Sequence, residues 1–245
     1  MAKKIYVTGI GPGSGETMTP QAKNALAESD IIVGYTVYVD LIKEMCEGKI
    51  VVTTRMKQEA DRCRIALRYA EDGKTVAFVC SGDPGVYGMA GLMFEIAGDE
   101  TDIEIVTVAG ITAACSGAAV LGAPLIHDFA VISLSDLLTP WEAIAKRLRL
   151  AAEGDFVICI YNPKSRKRVR HLDKAVDIIS CFRDSDTPCG YVRNIGRDGE
   201  RGIVCTLEEL KDNNEIDMFT TVYIGNSSTK VIRGKLVTPR GYREI

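Results

Sequence analysis

None of the eight cysteines pairs with another in a CxxC spacing, so zinc-ribbon and thioredoxin-like chemistry are excluded. Most sit inside apolar runs such as FVCSG and FVICIY and read as buried structural thiols. Only two histidines are present, His127 and His171, too few for a typical metal site, and no metal is assigned. His127-Asp128 reads as a turn and His171 as a surface residue, so no Ser/His/Asp or Cys/His arrangement can be built. Positive charge is not in excess. Thirty Lys and Arg face 33 Asp and Glu, a net charge of −3, which argues against a bulk electrostatic grip on nucleic acid. There is no low-complexity linker. The 23 glycines and 8 prolines are dispersed through a mix that is 46% hydrophobic and 26% charged, as in a soluble globular protein.

Long apolar runs are also missing, with one stretch to weigh. From Ile105 to Ile126 no residue carries a formal charge, a length that could span a bilayer. Gly110, Gly117, Gly122 and Pro124 interrupt it, and small residues dominate. It reads as a strand, a glycine turn and a small-residue helix. MAKKIYVTGIGPG has no apolar core of a secretory signal, and the expectation is a cytoplasmic protein without a membrane segment.

What is present is alternation. Strands are expected at 5–8, 31–33, 50–53, 75–80 and 103–108. Helices are expected at 60–70, 86–97 and 112–121, the first from Ala60, Cys63, Leu67 and Ala70 at spacings of three and four. Strands alternating with helices imply an α/β domain with a parallel sheet. The pattern restarts after Gly122-Ala123-Pro124. Strands follow at 130–134, 156–161, 189–192, 203–205 and 221–224, with helices at 141–152, 165–182 and 207–211. Val169, Leu172, Val176 and Ile179 form the core stripe of the long helix. Turn residues such as Arg197-Asp198-Gly199 suggest a mixed second sheet. Two domains, 1–122 and 123–245, result.

Four loops carry candidate chemistry. Gly9-Ile10-Gly11-Pro12-Gly13-Ser14-Gly15 follows the first strand. A dinucleotide fingerprint from Gly9 needs glycine where Ser14 stands, and no Gly-Lys-Ser/Thr follows as in a P-loop. Pro12 removes a backbone donor. The loop is either a tight turn or a bare surface for a flat ligand. Ser81-Gly82-Asp83-Pro84-Gly85-Val86-Tyr87-Gly88 follows the strand 75–80, at the kind of strand end where open α/β sheets bind ligands. Asp83 there is either a helix cap or a ligand-facing carboxylate. Ala109-Gly110-Ile111-Thr112-Ala113 is a third such turn. The fourth, Tyr161-Asn162-Pro163-Lys164-Ser165-Arg166-Lys167-Arg168, is a basic run, either a solvated surface or a receiver of carboxylates.

In this order and at these spacings, GIGPG, SGDPGVYG, AGITAA and YNP resemble the tetrapyrrole (corrin/porphyrin) methylases over essentially the whole chain. Within that family, VGYTVYVD (33–40), MKQE (56–59), SLSDLLTPWE (133–142) and YNPKSRKR (161–168) are similar to the branch that methylates C17 of precorrin-3B or cobalt-precorrin-3 and contracts the ring. The resemblance implies two αβα domains with the active site in the cleft between them. It implies a homodimer and S-adenosyl-L-methionine as methyl donor, leaving as S-adenosyl-L-homocysteine. The substrate implied is an anionic tetrapyrrole, with or without cobalt. Cofactor contacts carried over by motif are Pro12, Ser81, Gly82, Asp83, Val86, Thr112, Ala113, Tyr161, Asn162 and Ile195. Arg55, Lys164, Arg166 and Arg168 are expected at substrate carboxylates. Tyr35 stands where relatives place a carboxylate implicated in proton removal, so Tyr35, Lys57 and Asp136 are the candidate catalytic groups. The alternatives are another precorrin methyltransferase of this fold, acting at a different ring position, or a non-catalytic ligand-binding relative.

Overall fold

Alternation of side chains along a buried parallel strand sends neighbouring residues to opposite faces, and both faces must then be covered. In the computed structural model, which describes residues 3–242, the chain divides into two compact units between Ala113 and Ala114.

The first unit holds β1 (Lys4–Gly9), α1 (Pro20–Glu28), β2 (Ile31–Tyr35), α2 (Thr36–Asp40), β3 (Ile50–Thr54), α3 (Glu59–Glu71), β4 (Thr75–Cys80), α4 (Ala90–Ala97) and β5 (Glu104–Val108). Its sheet is parallel throughout, in the order β3-β2-β4-β1-β5. Ile31, Val33, Val76 and Phe78 face Cys63, Ala66 and Leu67 of α3 and Met93 of α4. Ile32, Ala77 and Val79 face the other way, against Ala22, Ala25 and Leu26 of α1 and Val39 of α2. The connection leaving β1 runs over one face and that leaving β4 over the other. The carboxyl ends of these two neighbouring strands are therefore a topological switch point, the place where open α/β sheets bind ligands.

The second unit holds α5 (Ala113–Leu121, entered at the boundary), β6 (Gly122–Ala123), β7 (Phe129–Ser133), α6 (Trp141–Glu153), β8 (Val157–Tyr161), α7 (His171–Ile179), β9 (Pro188–Arg193), β10 (Arg201–Thr206), β11 (Thr220–Ile224), β12 (Lys230–Ile232) and β13 (Lys235–Val237). Its main sheet, β10-β9-β11-β8-β7, is mixed: β7 and β8 run parallel and the other pairs antiparallel. Ile144 and Leu148 of α6 with Leu172, Val176 and Ile179 of α7 close one face. α5 meets residues of this unit. Gly117 lies against the Tyr223 hydroxyl and Ile195, where a methyl group would clash with both, and Gly190 approaches Leu121. The Ala114 N–H donates to the Tyr161 hydroxyl at 2.7 Å, and the Tyr223 hydroxyl donates to the Ala114 carbonyl at 3.0 Å. These contacts join α5 to the second unit. A small third sheet, β12-β13-β6, completes the unit.

Two expected helix starts are corrected. The helix expected from Val86 starts at Ala90, because Tyr87 takes a left-handed φ of 52° and Gly88 is pressed against the Pro84 backbone. The helix expected from Ser165 starts at His171, after a reciprocal backbone turn between Ser165 and Arg168. The cations at 164–168 therefore lie on a loop and oppose no helix dipole, and Val169 is exposed rather than in the core. The uncharged run resolves into β5, a loop, α5 and β6, and no helix among the described residues is long and apolar enough to cross a membrane.

Candidate functional site

In the first unit the loops after β1, β4 and β5 are knitted together by backbone. Gly11 and Gly82 exchange both hydrogen bonds, at 3.1 and 2.7 Å, and the Ile10 N–H donates to the Cys80 carbonyl at 2.9 Å. Gly82 makes this bridge at φ 68°, in the left-handed region open to glycine. A β-carbon on Gly9 would meet the Gly82 oxygen at 2.6 Å and the Gly110 nitrogen at 2.8 Å, so three strand ends touch where only glycine fits. Asp83 fastens the third loop. One carboxylate oxygen accepts from the Gly85 N–H at 2.8 Å and the other from the Gly110 N–H at 3.0 Å. Asp83 therefore caps no helix, since α4 begins seven residues later; it ties two loops and keeps a further lone pair on each oxygen. Pro12, Ser81, Gly82, Asp83, Thr112 and Ala113 all fall on these loops, and Gly82 packs beside Thr112 and Ala113. Val86, half-buried, turns back with its N–H on the Asp83 carbonyl at 3.4 Å.

Tyr35, Arg55 and Lys57 occupy the neighbouring ends of β2 and β3. Tyr35 packs edge-on to Tyr38 with ring centroids 5.1 Å apart. The Arg55 N–H donates to the Gln58 side chain at 2.9 Å and the Lys57 N–H to Glu59 at 3.0 Å, which holds Lys57 at φ 70°. Sequence reading missed Arg62. It is 4% exposed, donates from Nε to the Thr54 hydroxyl at 2.7 Å and from Nη2 to the Arg55 carbonyl at 3.1 Å, and its guanidinium lies 5.8 Å from the Tyr35 ring centre. A charge on an amphipathic helix reads as solvated; only the return of α3 beneath the strand ends buries this one.

In the second unit the loops after β7 and β8 meet. Asn162, at φ 53°, donates from Nδ2 to the Ser133 hydroxyl at 2.9 Å. Tyr161 holds the start of α5. The three candidate cations of this unit and Asp136 do not share one role. The Lys164 ammonium turns inward, donating to the Asn213 carbonyl at 2.8 Å, with Asp173 at 4.0 Å. Arg166 is exposed. Arg168 is 9% exposed and donates to the Ser135 hydroxyl. Asp136 accepts a 2.9 Å hydrogen bond from His171 Nε2, which holds its carboxyl below the usual carboxylate range and makes it a weaker proton acceptor. His171 is not the surface residue expected: its ring packs edge-on against Trp141 at 5.1 Å. Ile195 is buried with its side chain against Gly117.

Comparison with known proteins bears on these loops. The family described as Tetrapyrrole (Corrin/Porphyrin) Methylases matches residues 4–211. The chain is 48% identical over 240 residues to the "Cobalamin biosynthesis protein CbiHC" of Archaeoglobus fulgidus, covering 98% of this chain and 53% of that protein. It thus spans about half the length of that relative. It is 46% identical to the "Probable cobalt-factor III C(17)-methyltransferase" of Salmonella typhimurium, covering 97% of this chain and 99% of the relative. Among solved structures, the methyltransferase CobJ superposes with a TM-score of 0.90 at 38% identity, over 96% of this chain and 99% of that one. Knitted glycine loops at the ends of β1, β4 and β5 and a YNP loop after β8 thus sit in a chain that belongs to the tetrapyrrole (corrin/porphyrin) methylases.

Proposed function

We propose that this protein transfers a methyl group from S-adenosyl-L-methionine to C17 of a tetrapyrrole in cobalamin synthesis, with contraction of the ring. The single observation that carries the reading is 46% identity, across nearly the full length of both chains, to a relative named as a cobalt-factor III C(17)-methyltransferase. A relative named as a precorrin-3B C(17)-methyltransferase is 39% identical.

The first-unit loops suit the donor. Their backbone is bare at Gly82 and Gly110, and Asp83 offers a fixed carboxylate to a ligand that carries an ammonium and hydroxyls. Pro12, Ser81, Gly82, Asp83, Val86, Thr112 and Ala113 would line it, and on the resemblance Tyr161, Asn162 and Ile195 are further contacts. When bound, the donor supplies a methyl group on a sulfonium. Displacement at such a carbon needs alignment more than proton transfer. Loops held rigid by paired backbone groups supply alignment and keep side-chain bulk out of the way. Tyr35 and Lys57, at the ends of β2 and β3, are proposed to act on the macrocycle, and Arg55, Arg166 and Arg168 to receive its carboxylates. The inward ammonium of Lys164 suits a structural role better than a substrate contact. A homodimer in the cytoplasm is the proposed setting.

The test is mass spectrometry of products formed from S-adenosylmethionine with cobalt-loaded and metal-free substrate in parallel. Addition of one methyl group to either substrate supports the reading and names the route. No methyl transfer to either, by protein shown to bind the donor, overturns it.

A further inference from the structure

A buried guanidinium is costly unless a counter-charge or a full set of acceptors meets it. In the second unit Arg168 has neither. Its Nη1 donates to the Ser135 hydroxyl, while its Nε is buried without a hydrogen-bond partner. No carboxylate lies within ion-pair distance of it among the described residues, although every other buried cation named above has found carboxylate or carbonyl acceptors. The candidate counter-charge is Asp136, next to Ser135 in the chain, whose carboxyl feels the Arg168 charge. Arg168 is near enough to contribute to the lowered pKa of Asp136, but the carboxylate is committed elsewhere, to His171 Nε2 at 2.9 Å. The His171 ring is fixed by packing on Trp141, and its Nδ1 is buried without a partner. The carboxylate must be the acceptor, so Nε2 carries the proton in this bond.

We propose that Ser135 and Arg168 form an oxyanion subsite for one carboxylate of the substrate, and that His171 is a positioning residue that keeps it open by holding Asp136 away from Arg168. The inference rests on the methyltransferase reading only for the identity of the ligand. Arg168 presents a planar fork of donors to a carboxylate. Ser135 fixes the fork on one side. Ser133 and Asn162, bonded to each other, hold the adjoining strand end, and the Ser135 N–H donates to the Ser133 hydroxyl at 3.2 Å. If His171 let go, Asp136 would turn to the guanidinium and occupy the place of the ligand.

The probe is uroporphyrin III, a stable porphyrin ringed by carboxylates, titrated without methyl donor and followed by fluorescence. Arg168→Gln is expected to weaken binding by roughly tenfold or more. The Tm of the ligand-free protein should hold or rise, because an unpaired buried charge has been removed. His171→Phe, which keeps the packing on Trp141 but not the hydrogen bond, should weaken binding similarly. The double variant His171→Phe/Asp136→Asn should regain affinity, since no competing carboxylate remains. A merely structural role for His171 predicts no such rescue. Unchanged affinity in Arg168→Gln overturns the subsite; a double variant as weak as His171→Phe overturns the positioning role. Should the wild-type protein methylate neither substrate while Arg168→Gln still loses porphyrin binding, the functional reading falls and the subsite stands. Methylation with wild-type KM by Arg168→Gln gives the reverse.

Discussion

Asp83 ties two loops together and, on the proposed function, would also meet the methyl donor. Its two oxygens neutralise two backbone donors that the glycine loops leave exposed, Gly85 and Gly110. An asparagine could satisfy only one of them and would aim an N–H at the other. Asp83→Asn should therefore destabilise the protein by about 1–3 kcal/mol in urea unfolding. It should also weaken S-adenosylmethionine binding measured by calorimetry. Gly110→Ala makes a steric version of the same test, because its new β-carbon would overlap the Gly82 carbonyl oxygen. Its cost is expected at about 1–3 kcal/mol. Gly15→Ala, with nothing within 4 Å of the new carbon, should leave both stability and donor binding as they are. At Asp136 the governing group is His171, whose hydrogen bond lowers the carboxyl pKa. A depressed pKa means that the pairing stabilises the fold above the ordinary carboxylate range and is lost as pH falls through the lowered value. The stability gap between wild type and Asp136→Asn, under about 1 kcal/mol for a pair this exposed, should persist at neutral pH and close in acid. A gap that widened in acid would contradict the assignment.

At the level of elements, α5 is a helix of small residues with no strong amphipathic stripe, and its placement depends on two tyrosines reaching its first turn. Burial drives the Tyr223 phenol well above its ordinary range, so it stays a neutral donor to the Ala114 carbonyl. Tyr223→Phe removes this buried hydrogen bond and should cost about 1–2 kcal/mol, read as a shift in the urea midpoint with unchanged slope. The sequence carried no sign of this contact, because the partners are 109 residues apart. Strands with near-continuous apolar runs, such as β2, β4 and β8, are legible, because burial on both faces leaves such a signature. α1 was overlooked despite Thr19 capping it and Pro20 opening it. The hairpin of β12 and β13 escaped because three-residue strands leave too little alternation to read. Of the site, the motif loops were legible by their glycines. Arg62 and His171 were not, since what buries each is another element folding over it: the ends of β2 and β3 for Arg62, Trp141 of α6 for His171.

For the molecule as a whole, the eight cysteines are free thiols distributed over both units, and their protonation states make them reporters of integrity. Cys63 and Cys80 lie in the core of the first unit, and burial pushes their thiols up to about 11 and about 12. Cys159 and Cys189 lie inside the second unit and are driven higher still by burial. Alkylation requires the thiolate, and each pKa unit above ambient pH lowers its population about tenfold. These four are thus protected twice, by lack of access and by lack of charge. Cys115 and Cys181 are exposed. Cys46 and Cys205 are partly exposed but raised by burial, Cys205 to about 12. Pulsed iodoacetamide at neutral pH, read by mass spectrometry, should label Cys115 and Cys181 first and Cys46 and Cys205 slowly. Cys63, Cys80, Cys159 and Cys189 should react only once urea unfolds the unit that holds them. Within each unit the two buried thiols should appear at one urea concentration, because Cys159 and Cys189 lie on strands of one sheet and Cys63, on α3, shares with Cys80 of β4 a single core cluster. Labelling of Cys80 before Cys63 in native buffer would mean that the end of β4 opens locally. The knitted loops of the proposed donor site would then be formed by ligand rather than built in advance, and donor addition would have to suppress the labelling.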